Sequence, residues 1–330
     1  MEKPEFSCTI LSKLNLGDIE KVVKEAYHRE DGPGRPPRKP MGIFKALIVK
    51  RLQQIPSERE LCRRLWKDDN LRELCDIEAE QNPYHPSQLS RFKKRVGTKR
   101  LQRIIDKLLK ELLHAGMISG ETVVLDATFV KAHSRRDPHE NRRGKSDPEA
   151  RVGRNGKTYE LGYKLHVATD AKSELPLAII VASANENEKK HAPELFRKAL
   201  KATEQRMKTL VADSQYSSRK LRIQASGHGV NAVIPYPVNQ RRGECLLRVD
   251  KYFRTHGPAS ERQIYTLRGA IERVNSRLKD QLCLERHRAR GLERVTIHAL
   301  LCMIAMLLNA LTALRLKRPE KARSSTMLAR

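Results

Sequence analysis

Three carboxylates stand in settings that a solvated surface charge does not need. Asp126 interrupts the apolar run Val123–Val130 (VVLDATFV). Burying a charge in such a strand is costly unless it is paired or bound to metal. Asp213 closes the short apolar run Thr209–Ala212. Glu272 lies within Ser260–Leu284 (SERQIYTLRGAIERVNSRLKDQLCL), which has a good N-cap at Ser260 and no Pro. At about 100° per residue, Tyr265, Arg268, Glu272 and Lys279 share a sector of roughly 60°. Leu267, Ile271, Val274, Leu278 and Leu282 share another, about 120° away. One face can enter a core while the other carries a carboxylate, an aromatic hydroxyl and two cations. Carboxylate oxygens are the ligands that hard divalent cations prefer. Two such ions about 4 Å apart activate the attacking oxygen and stabilise the leaving oxygen in phosphoryl transfer. Without metal the three acids repel, which links folding stability to Mg2+. A half-buried helix with a solvated charged face explains the third segment equally well at this point.

The elements that must position these residues follow from period and punctuation. Residues 1–118 read as all helical. Gly17–Arg29 ends at the breaker Asp31-Gly-Pro-Gly-Arg-Pro-Pro, and Met41–Gln54 is closed by Pro56. Ser57-Glu-Arg-Glu60 is a capping box that starts the next helix. The turn at Gln81–Pro86 leads to the basic helix 87–96, and Thr98 caps a further helix that ends at Gly116. The helices 57–67 and 86–96 suggest a helix-turn-helix-like unit with an overlong connection. Ser87, Gln88, Arg91, Lys93, Lys94 and Arg95 are its candidate DNA contacts. Trp66 and Tyr84 are expected to pack this domain.

From Glu121 the period changes to that of strands. Val123–Val130, Tyr159–Asp170 and Leu175–Ala184 form a meander; the last is apolar enough to be covered on both faces. Ser134–Thr158 is polar, basic and rich in breakers, and is expected to be a loop without fixed structure. A helix from Glu188, the strand 209–212, a helix 217–226 and the strand 230–235 complete the order. Three strands followed by strands reached through helical crossovers predict an α/β ribonuclease-H-like core, a mixed five-stranded sheet flanked by helices. The expected domains are 1–118 and 119–317. Basic loops at 134–158 and 236–259 belong to the second, and 318–330 is expected to be a disordered tail.

Charge narrows the function. Lys and Arg number 66 against 39 Asp and Glu, a formal charge of +27 in 330 residues. The excess is spread along the chain, which suits a polyanion, nucleic acid first. Ile297–Leu314 has the length of a membrane span, but His298 and Asn309 interrupt it, and a buried core helix is expected. The N-terminus has no secretory pattern, so a cytoplasmic location is expected. The six cysteines form no Cys-x-x-Cys pair. His133 and His166 fall near the carboxylates, with His166 expected as a packed core residue; His191 falls near a helix start.

The spacing Tyr265-x2-Arg268-x3-Glu272-x6-Lys279 resembles the signature of bacterial insertion-sequence DDE transposases of the insertion-sequence-four and -five-like groups. Val124-Leu-Asp126-Ala-Thr128 resembles their first carboxylate motif and Ala212-Asp213-x-x-Tyr216-Ser217 their second. Gly162-Tyr-Lys-Leu-His166 is similar to their second strand, and 86–95 to their N-terminal helical domain. The resemblance implies a cut-and-paste transposase. Asp126, Asp213 and Glu272 would bind two Mg2+ ions, for which Mn2+ substitutes. Water would free a 3′-hydroxyl at the element's end, and that hydroxyl would attack target DNA. Double-stranded DNA, as terminal inverted repeats and target, is the implied partner of a homodimer. Tyr265, Arg268 and Lys279 would hold phosphates, and Tyr216 either faces DNA or packs. Arg241 and Arg242 add basic contacts from a loop shorter than the insertion some members carry between the second Asp and the Glu. A non-catalytic DNA-binding descendant of a transposase is the alternative.

Overall fold

The structure, a computed structural model, describes residues 10–12, 14–27, 38–78, 80–237 and 259–323. Arg241, Arg242 and most of the basic segment 236–259 lie outside the described residues. The chain forms two compact units. One comprises residues 1–112, 277–289 and 293–330, the other 113–276 and 290–292. The units are therefore discontinuous, unlike the contiguous division expected at residue 118.

The first unit is helical: α1 (Gly17–Lys24), α2 (Pro40–Leu52), α3 (Glu58–Lys67), α4 (Asp69–Leu74) and α5 (Pro86–His114). Ser57 caps α3 by accepting from the Glu60 amide at 3.1 Å, and Asp68 caps α4 from Leu71 at 2.9 Å. The overlong connection expected between α3 and α5 is occupied by α4. Gly97 has φ 65°, a left-handed conformation that joins the predicted helices 87–96 and 98–116 end to end. Tyr84 is buried and donates to the Cys75 carbonyl at 2.8 Å. Trp66 does not pack as expected; it is 58% exposed on the polar side of α3.

The second unit is built on a sheet. Its elements are β1 (Thr122–Lys131), β2 (Arg151–Asn155), β3 (Thr158–Asp170), β4 (Leu175–Ser183), α6 (Glu188–Ala202), β5 (Thr209–Ala212), α7 (Arg219–Gly227), β6 (Asn231–Val233), α8 (Ala259–Thr266) and α9 (Gly269–Ser276). The sheet runs β2-β3-β1-β5-β6, with β4 also paired to β3. β1 and β3 are antiparallel, whereas β5 and β6 run parallel to β1. Leaving β2 aside, β4-β3-β1-β5-β6 is the strand order of a ribonuclease-H-like sheet. At Gly162 a Cβ would come within 2.3 Å of the Val130 carbonyl oxygen, so this strand crossing requires glycine.

The extra strand corrects one expectation. Residues 134–158 do not form an unstructured loop. Bridges at Arg136–Gly144 and Arg143–Arg151 fold the segment, and β2 adds it to β3. Buried Asp147 accepts from Tyr163 Oη at 2.7 Å. Sparse polar hydrogen bonds give this order, and they leave no apolar periodicity to read.

The last helix, α10 (Leu292–Arg315), is long and apolar enough to cross a membrane, yet 94% of its most apolar window is buried. It is a core helix. The tail differs from the disorder expected from residue 318: Pro319–Arg323 forms a 3-10 turn with Ala322 buried. Asn309 Nδ2 donates to the Ala322 carbonyl at 3.0 Å and Arg277 Nη1 to that of Arg323 at 2.9 Å.

Candidate active site

Sheet register brings the first two carboxylates together. β1 and β5 are parallel neighbours with Leu125 opposite Ala212. The next residue on each chain is an aspartate, so Asp126 and Asp213 leave adjacent strands side by side. Helix α9 packs on β1 and β3 through buried Ala270, Ile271 and Val274, and it carries Glu272 on its exposed face. Arg268, just before α9, lies among the three. Its Nη1 donates to Glu272 Oε1 at 3.2 Å, and its Nη2 stands 3.8 Å from Asp126 Oδ2.

Electrostatics reports the same cluster. Burial pushes Asp126 up to about 6; Arg268 opposes this, and Asp213 and Glu272 add to it. Burial also raises Asp213, against Arg268 and the Gln215 amide, which donates to Asp213 Oδ1 at 3.0 Å. Tyr216, which follows in the turn Ser214–Tyr216, is fully buried and pairs with His166 Nδ1 at 2.9 Å. Burial, then Asp126 and Asp213, raise its phenol well above the ordinary range. Burial, then His191 and Lys164, drive His166 down to about 3, so it is a neutral partner in the floor of the site.

The structure also shows where the other expected contacts stand. The segment 260–284 is not one helix: α8 ends at Thr266, and the amides of Leu267, Arg268, Ala270 and Ile271 bond three residues back. That tightening turns the faces of α8 and α9 out of phase. Tyr265, expected on the polar face, is 6% exposed; Leu267, expected in the core, is 41% exposed. Of the two roles expected for Tyr216, its burial matches packing. Lys279 falls in a π-helical turn, Arg277–Gln281, in the other compact unit, where it pairs with Glu285 at 2.8 Å. Ser87 and Gln88 close the first turn of α5 onto His85, Lys93 pairs with Glu58, and Arg95 lies over the Tyr27 ring. Arg91 and Lys94 are exposed.

Comparison with known families decides the class. Residues 119–308 match the family described as Transposase DDE domain, and residues 2–95 match Transposase domain (DUF772). The chain belongs to the DDE transposases. Two solved structures are similar at low identity. The piggyBac transposase synaptic complex with hairpin DNA is 13% identical, with 97% of this chain and 77% of that one covered at a TM-score of 0.44. The Mos1 transposase paired-end complex with left transposon end is 12% identical, covering 82% and 88% at a TM-score of 0.24. The assignment stands on the family matches and the strand order.

DDE transposases generally use divalent metal ions, and the donor set of this transposase suits them. Three carboxylates offer hard oxygen ligands, and burial makes the charge on Asp126 costly without a cation. Among the described residues no three acids or histidines stand assembled around an ion position. The guanidinium of Arg268 stands between Asp126 and Glu272, and its buried Nε has no hydrogen-bond partner. One further acid escaped the sequence reading. Glu188 begins α6, pairs with Lys164 at 2.6 Å, is nearly buried and raises Asp213. Its signal was Asn187, the α6 cap, which fixes Glu188 in the first turn beside the His166 strand.

Proposed function

We propose that this protein is a cut-and-paste DNA transposase that binds the ends of its insertion sequence, cleaves them by Mg2+-dependent hydrolysis and joins the freed 3′-hydroxyls to target DNA. The observation that carries the reading is the Leu125–Ala212 register, which sets Asp126 and Asp213 on adjacent parallel strands, with Arg268 linking Asp126 to Glu272. Asp126, Asp213 and Glu272 are the residues that would hold two Mg2+ ions, with Mn2+ able to substitute. When bound, such ions supply activation of the attacking oxygen and stabilisation of the leaving one. Arg268 offsets the charge of Asp126 and Glu272, and its fork geometry suits a backbone phosphate. The His166–Tyr216 pair holds the floor beneath Asp126. Two element ends call for two copies, so a homodimer is expected in the synaptic complex, acting on DNA in the cytoplasm.

A 5′-labelled duplex carrying the element's end tests this. Asp126→Asn is expected to abolish strand cleavage in Mg2+ while end binding, read by mobility shift, is retained. Full cleavage by Asp126→Asn would remove the carboxylate from the chemistry. Binding without cleavage by the natural chain would favour the alternative, a DNA-binding descendant that no longer cuts.

A further inference from the structure

The helical unit holds a cavity of about 380 Å³ whose lining has an unusual charge. Lys50, Arg51, Arg59, Lys93, Arg288 and Arg294 line it, against one carboxylate, Glu58, which is already paired with Lys93. The two innermost cations, Lys50 and Arg51, are 6% and 3% exposed on neighbouring positions of α2. Among the described residues neither is joined to a carboxylate. Arg51 donates to the Leu47 carbonyl at 2.6 Å and reaches His298 Nδ1 at 3.3 Å. His298 Nε2 lies against the Cys283 and Leu284 carbonyls at 3.1 and 3.2 Å, so His298 is neutral and Nδ1 accepts. Arg51 Nε is buried with no hydrogen-bond partner, and the buried Cys302 thiol, which also acts on the guanidinium, carries no charge to offset it. Side-by-side buried cations are costly unless an anion completes them. The first turns of three helices also line the cavity: Ser57 and Glu58 at α3, Pro86 and Ser90 at α5, Arg294 at α10. Helix N-termini favour anions through their dipoles, although Ser57 takes the Glu60 amide of α3 and Glu149 the Leu292 amide of α10.

We propose that this cavity is a phosphate-binding pocket that takes a backbone phosphate of the bound DNA. The proposal rests on the reading of the chain as a DNA transposase and assigns it an anchoring point apart from the carboxylate cluster. The pocket has the volume of a small-ligand site, enough for one nucleotide unit.

The test uses the full chain and a salt titration of duplex binding, read by fluorescence anisotropy. Arg59→Gln/Arg294→Gln changes two exposed residues at the rim and spares the buried pair. The double variant is expected to lower the slope of log K against log salt by about 1, the share of one phosphate. Affinity at low salt should fall by about tenfold. A thermal shift with pyrophosphate supplies the second arm, stabilising the natural chain more than the variant. An unchanged salt slope overturns the proposal. If pyrophosphate still discriminates while the slope is unchanged, the pocket serves a free small anion, which also overturns it. Failure of the transposase reading is seen separately, as absence of Mg2+-dependent cleavage by the natural chain.

Discussion

The acidic cluster of the sheet unit and the cationic cavity of the helical unit are built on opposite logics. In the first, one guanidinium pairs with two of three carboxylates, and in the second, six cations line a cavity with one carboxylate. Each has a buried charged pair, Asp126 with Asp213 and Lys50 with Arg51, and each pair sits where elements converge: two parallel strand ends and a helix in one case, three helix starts in the other. Folding alone does not favour such arrangements, because buried unpaired charge costs several kcal/mol. The contrast matches the two proposed roles: one region would accept cations and the other anions, and DNA strand chemistry calls for both.

The contrast can be broken most sharply by crossing the two sites. Glu272→Gln is expected to lower Mg2+-dependent cleavage by about 10³-fold or more while leaving the salt slope of DNA binding at the natural value. The rim variant of the cavity should change the slope. Equal loss of binding in both would merge the sites into one.

Lys50 sharpens the cationic side. Burial, then Arg51, lowers it to about 8 from an ordinary value of 10.5. The folded state thus disfavours its charge. The cost is full below about pH 8 and fades as pH rises to 10.5, so stability rises across that window. Lys50→Met should stabilise the DNA-free protein by about 2–3 kcal/mol at pH 7, with no gain above pH 10.5, as measured by urea denaturation.

His166 sharpens the acidic side. Its folded value of about 3 lies below the ordinary 6.5, so its contribution is complete above pH 6.5 and is lost as pH falls below it. Between pH 6.5 and 5 the loss should reach about 2 kcal/mol, and His166→Gln should remove that part of the slope. The smallest effect is expected at the α3 cap that borders the cavity. Ser57→Ala should cost about 1 kcal/mol, seen as a lowered urea midpoint with an unchanged m-value.

The acidic side was far more legible in the amino-acid sequence than the cationic one. Apolar runs end or break at Asp126 and Asp213, and the order of elements along the chain, β2 aside, follows from those runs. The face of Tyr265 was misplaced because the run of three-residue hydrogen bonds from Leu267 to Ile271 has no marker beyond Gly269. β2 was missed because Arg151–Asn155 is polar and its pairing with β3 is long-range. The cavity was invisible for a stronger reason. Lys50 and Arg51 read as ordinary polar positions in α2, and Arg288 and Arg294 reach the same cavity from more than two hundred residues away. Only tertiary structure shows that they share a space.

Binding of Mn2+ in the absence of DNA, followed by electron paramagnetic resonance, tests the central claim most directly. The natural chain is expected to take up Mn2+ saturably. The variant Asp126→Ala/Asp213→Ala/Glu272→Ala, folded by circular dichroism, is expected to lose that uptake. Undiminished saturable binding by the triple variant would contradict the assignment of these three carboxylates as the metal site.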